Sequence, residues 1–353
     1  MSFALCTTVT TDYLPQALVL LKSARASGIS ASFYCFISDA DCDLIASVSH
    51  KLKDDFNWIK FFGPDSLSHT EDLFKKAISY YNGLELSCLA KWVCVDYILE
   101  TFEHDACIFA DADMLFYKSL DDILNDSDCT LLVTPHQTKA GACSVQLEHD
   151  TLLHGTINSG FFILYKNRKS YREIVTWMIS RVSTRGFLAP HAGMSGDQTW
   201  LSLVSVLFYE DTHVLMNPGL NVAYWNLAER RLSGNLADIR VNTESLIFFH
   251  FSGFPKDDRR KLSSHSDILV AQSGLLSDLC EHYREQLRLA SEIVEKFKSK
   301  GTYNFNRGSL QSRLLAGSAI NKTNLHFALR GTGIFSRVGA KFDKIIQTLA
   351  PNS

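Results

Sequence analysis

An α/β fold with a mostly parallel central sheet and a C-terminal helical extension is predicted by three features of this sequence. Strand-like and helix-like stretches alternate from the first residues onward. A short apolar run, Ala106–Ala110, stops abruptly at acidic residues, as expected of a central strand buried on both faces. Beyond residue 256 the pattern gives way to charged and basic helical segments.

Residues 2–10 are apolar and β-branched and predict a first strand. A helical pattern follows over 14–26, with Pro15 in its first turn and Gly28 just past its end, where each residue is compatible with a helix terminus. Residues 31–38 predict a second strand, 41–52 a second helix and 58–62 a third strand. Strands joined through helices run parallel, because a parallel pair needs a crossover connection. Cys88, Trp92, Val95, Leu99 and Phe102 recur three or four residues apart and share one helical stripe that leads into the Ala106–Ala110 strand. Further strands are predicted at 129–134, 160–165 and 246–251, and helices at 169–181 and 198–207. Residues 136–156, with His136, Gly141, His149, His154 and Gly155, lack periodicity and predict a long functional or mobile loop. Near the end, 275–298 reads as a charged helix, 301–312 as polar turns and 334–349 as a basic amphipathic helix. In that last helix Ile334, Val338, Phe342, Ile345 and Leu349 form an apolar stripe, while Arg337, Lys341 and Lys344 share another face.

The 353 residues are 46% hydrophobic and 21% charged, a balance that supports a large folded core and excludes a disordered chain. Nine Cys, with no Cys-x-x-Cys pair among them, read as reduced core residues and exclude a zinc ribbon. A formal charge of −3 argues against nucleic acid as a partner. The basic residues are nevertheless concentrated: ten Lys or Arg stand against Asp343 alone from Lys296 onward. With no basic leader and no apolar window near ~18 residues, the expected location is the cytoplasm. The basic tail adds peripheral contact with the inner face of a membrane, with packing on its own domain or on another subunit as the alternative.

The chemistry centres on Asp111-Ala112-Asp113. Two carboxylates at the end of a buried strand repel each other and resist desolvation, and a divalent cation removes both costs. Mg²⁺ and Mn²⁺ favour oxygen ligands shared between carboxylates and substrate phosphates, and open α/β sheets bind ligands at this end of their strands.

Four more segments join this triplet. They are Thr7-Thr8-Val9-Thr10-Thr11-Asp12-Tyr13, Asn158-Ser159-Gly160, Gly196-Asp197-Gln198 and Phe249-His250-Phe251-Ser252-Gly253. In this order, over residues 2–256, they resemble the GT-A fold glycosyltransferases, and within them the family 8 enzymes to which glycogenin belongs. The resemblance implies a GT-A catalytic domain over 1–256 and a helical, basic extension over 257–353. It implies a metal, Mn²⁺ or Mg²⁺, held by Asp111, Asp113 and His250. It gives Thr8, Thr10 and Tyr13 to the nucleotide, with Ala112 beside the metal ligands, and Gly253, Lys91 and Lys256 to the phosphates. It assigns Asp197, Gln198 and Asn158 to the donor sugar and reacting carbon. The implied reaction moves a sugar from a nucleotide diphosphate donor, foremost a UDP-sugar, to a glycan or lipid-linked acceptor in surface polysaccharide assembly, with retention. A non-catalytic nucleotide-sugar or glycan-binding subunit of the same fold, and an inverting transferase, are the alternatives. Two departures are visible: Thr8 and Thr10 stand where many relatives have small and acidic residues, and Phe254-Pro255-Lys256 replaces a Lys-Pro-Trp ending.

Structural explanations compete with several of these roles. Tyr13 can cap a sheet edge, His250 can be a buried hydrogen-bonded histidine, Lys91 can be the polar side of its helix, and Asp197-Gln198 can be an ordinary helix start. Residues 221–227, with Tyr224 and Trp225 flanked by Asn221 and Asn226, predict a sugar or acceptor contact, or else a structural corner.

Overall fold

The computed structural model describes residues 1–318 apart from 68, 125–127 and 256. Lys256 and the 334–349 stripe therefore lie outside the described residues. In chain order the elements are β1 (Phe3–Val9), α1 (Leu14–Ala26), β2 (Ser32–Ile37), α2 (Cys42–Phe56), β3 (Ile59–Phe62), α3 (Glu71–Ile78) and α4 (Gly83–Thr101). Next come β4 (Ala106–Ala110), β5 (Met114–Phe116), α5 (Asp121–Leu124), β6 (Leu131–Pro135), α6 (Val145–His154), β7 (Ile157–Tyr165) and α7 (Tyr171–Arg185). The chain continues through β8 (Leu188–Ala189), β9 (Met194–Ser195), α8 (Gln198–Leu207), β10 (Thr212–Val214), β11 (Leu232–Asn235), β12 (Asp238–Val241) and β13 (Glu244–Ser245). It ends in β14 (Phe248–His250), α9 (Leu275–Val294) and α10 (Leu310–Ser318).

Seven strands form the main sheet in the order β10-β6-β7-β4-β1-β2-β3, and all neighbours run parallel except β7, which is antiparallel to β4 and β6. The mostly parallel α/β sheet expected from the sequence is therefore present. Its two faces are covered by separate cores, because side chains alternate along each strand. Leu5, Val9, Ile108, Phe161 and Ile163 face α1, α2 and α9. Cys6, Phe109, Phe162 and Leu164 face α3, α4, α7 and α8. Burying one such Phe or Leu contributes about 1.5–3 kcal/mol, so the two-sided burial of β4 and β7 strongly fixes their register. Met114 pairs opposite His250 across the short β5–β14 ladder, which carries chain from beyond β4 back to its carboxyl end.

Three sequence expectations change. The 136–156 segment is not one loop: Ser144 accepts the Leu147 N–H and starts α6, none of whose residues is buried. Without a buried face, α6 has no apolar stripe to be read. The strand expected at 160–165 starts at Ile157, so Asn158, Ser159 and Gly160 lie on β7 itself. The helix expected over 275–298 is α9 followed by a 3-10 turn at Glu295–Phe297.

The segment after residue 256 is closely tied to what precedes it. Leu279, Cys280 and Tyr283 of α9 belong to the core beneath α1. The chain then crosses the carboxyl edge of the sheet: Ser299 N donates to Asp12 (2.7 Å), Thr302 N to the Asp39 carbonyl (2.7 Å) and the Tyr303 hydroxyl to Asp65 (2.6 Å). Arg313 then donates from Nε and Nη2 to both oxygens of Glu85, each at 2.9 Å. Among the described residues no helix is long and apolar enough to cross a membrane.

Candidate functional site

The site is assembled where β4 ends. Asp111 N donates to the Gly160 carbonyl (2.7 Å), Asp111 O accepts from Met114 N (3.2 Å) and Asp113 O accepts from Phe251 N (2.8 Å), so a tight turn joins β4 to β5 with both carboxylates directed outward. Residue pairing across β5–β14 brings His250 alongside, with Nε2 3.0 Å from Asp113 Oδ1. One ligand atom from each of Asp111, Asp113 and His250 falls within 4.8 Å of the others. Side-chain exposures of 31% and 30% for the two Asp, against 4% for His250, give one open side where a ligand can complete a coordination shell. Two carboxylates and an imidazole suit Mn²⁺ or Mg²⁺, and Ala112 lies buried between the carboxylates.

The neighbours of the triad set its charge. Lys91, buried on α4, has Nζ 3.2 Å from Asp111 Oδ1 and 3.8 Å from Asp197 Oδ1, and donates to the Ser159 carbonyl and hydroxyl at 3.3 Å. Burial would push the Lys91 pKa down, but Asp111 and Asp197 outweigh it and the ammonium is held above its ordinary value. Burial raises Asp111 despite Lys91. Burial also acts to raise Asp113, but the charge and hydrogen bond of His250 hold it below the usual carboxylate range. On the other side of the imidazole, Nδ1 is 3.1 Å from Asn221 Oδ1, which leaves Nε2 facing the carboxylates. Asn221 holds φ of 53°, a left-handed position that asparagine tolerates.

The expected donor-sugar residues form one network behind the triad. Asp197 is only 1% exposed and accepts from Trp92 Nε1 (3.1 Å) and the Ser159 hydroxyl (2.9 Å). It is a buried anchor for α4 and β7, with Lys91 between it and Asp111. Gln198 is half-buried; its Oε1 accepts from Ser159 N and Asn158 Nδ2 at 3.3 Å, and its Nε2 donates to the His154 carbonyl at 3.0 Å. A Cβ on Gly160 would lie 2.8 Å from Asp111 Oδ2 and His250 Cε1, so only glycine allows β7 to run this close beneath the triad.

On the nucleotide side, Thr8 is buried at the end of β1, Thr10 is half-buried and Tyr13 is 56% exposed. The Thr7 and Thr8 hydroxyls make no hydrogen bond among the described residues. Burial, then the charges of Asp113 and Asp12, raise the Tyr13 pKa. Asp39 organises this turn by accepting from Thr11 N (2.8 Å) and the Thr11 hydroxyl (3.0 Å). Gly253 has φ of 65° and lies against the His265 ring, which a Cβ there would meet.

The sugar-contact reading of 221–227 changes in part. Asn221 and Asn226 are fully buried, and Asn226 ties the loop by accepting from Ala223 N and donating to the His136 and Asn221 carbonyls. Their amides serve the corner; Trp225 lies edge-on to both His136 and His250 at about 5 Å between ring centroids. The contacts of Asn221 with His250 and of His136 with Asn158 carry no sequence signal, because the partners are distant along the chain.

No protein-family model matches the chain. It is 26% identical over 258 residues to the uncharacterized protein YfnF of Bacillus subtilis (strain 168), covering 72% of this chain and 82% of that protein. It is 26% identical over 188 residues to Glycogenin-1 of Caenorhabditis elegans, covering 53% of this chain and 37% of the relative. Among solved structures it is similar to the galactosyltransferase LgtC in complex with donor and acceptor sugar analogs, at TM-score 0.50 and 15% identity over 81% of this chain and 95% of LgtC. That likeness shows the fold: the chain has the GT-A architecture.

Proposed function

We propose that this GT-A fold chain is a metal-dependent glycosyltransferase that moves a sugar from a nucleotide diphosphate, foremost UDP, to a glycan or lipid-linked acceptor in surface polysaccharide assembly. The reading is carried by the convergence of Asp111, Asp113 and His250 on one point at the carboxyl edge of the sheet, where open α/β folds bind their ligands. The donor set fits Mn²⁺ or Mg²⁺. When bound there, the ion supplies Lewis-acid neutralisation of the charge that develops on the departing diphosphate.

The chain's own groups have separate tasks in this reading. Asp111, Asp113 and His250 hold the ion, with Ala112 setting their spacing. Thr8, Thr10 and Tyr13 receive the nucleoside, and the exposed Tyr13 ring offers an apolar face to a base. Gly253 keeps the chain low beneath the phosphates; Lys91 and Lys256 add positive charge, Lys91 through its contact with Asp111. Asn158 and Gln198 meet the donor sugar, with Asp197 holding them in place from below through Ser159. A carboxamide rather than a free carboxylate at the reacting face favours retention, with the acceptor entering on the side from which the diphosphate leaves.

The test is a panel of nucleotide sugars with Mn²⁺ or Mg²⁺, scored for binding and for slow donor hydrolysis without acceptor. Asp113→Ala is expected to abolish both. Binding of no donor by the native chain, or an Asp113→Ala variant equal to it, sinks the reading; the anomeric configuration of the product decides retention.

A further inference from the structure

We infer that His136 is a positioning residue that sets which end of the Asn158 amide faces the metal triad. The inference rests on the donor-sugar role given above to Asn158, which lies on β7 between His136, one residue past β6, and Gln198 at the start of α8.

The Asn158 side chain is surrounded by three polar groups, and two of them, the Gly160 N–H and the Gln198 side-chain carbonyl, have fixed polarity. Its Nδ2 lies 3.2 Å from His136 Nε2 and 3.3 Å from Gln198 Oε1. Its Oδ1 accepts from Gly160 N at 3.1 Å. Gln198 Oε1 is itself held as an acceptor, because Gln198 Nε2 is spent on the His154 carbonyl. Gly160 N and Gln198 Oε1 direct the Asn158 oxygen toward Gly160 and one amide proton toward Gln198, and the second amide proton goes to His136 when its ring carries the proton on Nδ1 and Nε2 accepts. The point just above Gly160 is 2.9 Å from Asn158 Oδ1 and 2.8 Å from both Asp111 Oδ2 and His250 Cε1. An acceptor oxygen, not an amide nitrogen, is thus presented beside the triad, where it can accept a hydrogen bond from a sugar hydroxyl.

This arrangement needs His136 Nε2 to carry a lone pair. The imidazole is buried, edge-on to Trp225, and burial drives its pKa down to about 4, so it stays neutral under ordinary conditions. A donor at that position would oppose Nδ2 and favour the flipped amide, which would put an N–H pair against Gly160 N. His136 is held in turn by Asn226, which donates to its carbonyl at 3.1 Å and to the Asn221 carbonyl at 2.9 Å. Since Asn221 also faces His250, the corner at 221–226 aligns the metal ligand and the sugar-facing amide together.

His136→Phe and His136→Gln separate an acceptor role from simple filling of space. In selectively ¹⁵N-asparagine-labelled protein, the Asn158 side-chain amide protons are expected to exchange roughly 10-fold faster in His136→Phe, and near the native rate in His136→Gln, whose carbonyl restores an acceptor. In donor hydrolysis with Mn²⁺, His136→Phe is expected to lower kcat roughly 10-fold at unchanged affinity for the metal, with recovery in His136→Gln. Equal exchange and equal kcat in His136→Phe and the native chain would overturn the inference, as would an equal loss in both variants. If the native chain hydrolyses no donor, the glycosyltransferase reading fails, while the exchange measurement still decides the role of His136.

Discussion

His250 Nε2 sits 3.0 Å from Asp113 Oδ1 because β5 and β14 set Met114 opposite His250. Asn221 holds the far side of the ring, and partners of this kind typically change metal affinity by about 10–100-fold. Asn221→Gly removes the Oδ1 contact and keeps a residue suited to the left-handed backbone at that position. Calorimetric titration with Mn²⁺ in the presence of a nucleotide diphosphate is expected to show a loss in that range. His250→Ala and Asp113→Ala are expected to lose detectable metal binding. Native affinity in Asn221→Gly would mean that the ring is oriented by β14 alone.

Lys91 is the only described cation within ion-pair distance of Asp111 or Asp197. Lys91→Met would leave Asp197 buried beside a second carboxylate. Breaking a buried pair costs about 3–5 kcal/mol, and water reaching the part-exposed Asp111 favours the lower end. Urea unfolding should show a loss of about 3 kcal/mol, partly restored by Mn²⁺ through binding to the folded state. A metal-independent loss below about 1 kcal/mol would show that solvent already screens these charges.

The pair between Arg313 and Glu85 ties the chain after α9 to the start of α4. Glu85 is fully buried, completes the capping box with Asn82 and also accepts from Leu188 N. In Arg313→Ala the carboxylate would remain in place without its cation, at a cost of about 3–5 kcal/mol. A lowered thermal midpoint is expected. Glu85→Gln in the Arg313→Ala background should recover part of it, because a neutral amide keeps the cap without an uncompensated charge. No recovery would place the loss in the packing of α10 rather than in electrostatics.

The sheet was legible in the sequence because β1, β2 and β4 are apolar, short and bounded by turn or acidic residues, and that pattern follows directly from burial on both faces. Asp111 and Asp113 were legible for a related reason: charge at the end of such a strand has no packing explanation. The partners that shape the site were not. Asp39 reaches Thr11, Asn221 reaches His250 and His136 reaches Asn158 only through the topology of the sheet, and none carries a local pattern. α6 was missed because none of its residues is buried, so periodicity had nothing to report. The Arg313–Glu85 pair was hidden because nothing in the polar run at 301–312 reveals that it crosses four strand and helix ends.

A dependence of stability on pH follows from His136. Burial lowers its folded pKa to about 4, against an ordinary value of about 6.5 in an unfolded chain. Between these values the unfolded chain binds a proton that the folded chain refuses, so stability falls as pH drops from 6.5 toward 4. The contribution is complete above pH ~6.5 and amounts to about 3 kcal/mol lost by pH ~4. His250 and His154, both near His136, lower its pKa further, while the Thr156 and Gly155 backbone works the other way. Asp39, Asp96 and Asp111 are raised by burial and have the opposite sign, gaining protons on folding as the pH falls. The effect must therefore be read as a difference. In urea unfolding of the native chain and of His136→Gln, compared from pH 7.5 to pH 4, the stability of the native chain relative to the variant should fall by about 3 kcal/mol toward the acid end, because only the native chain loses this term. Parallel pH profiles would show that His136 takes up its proton in the folded state without resistance.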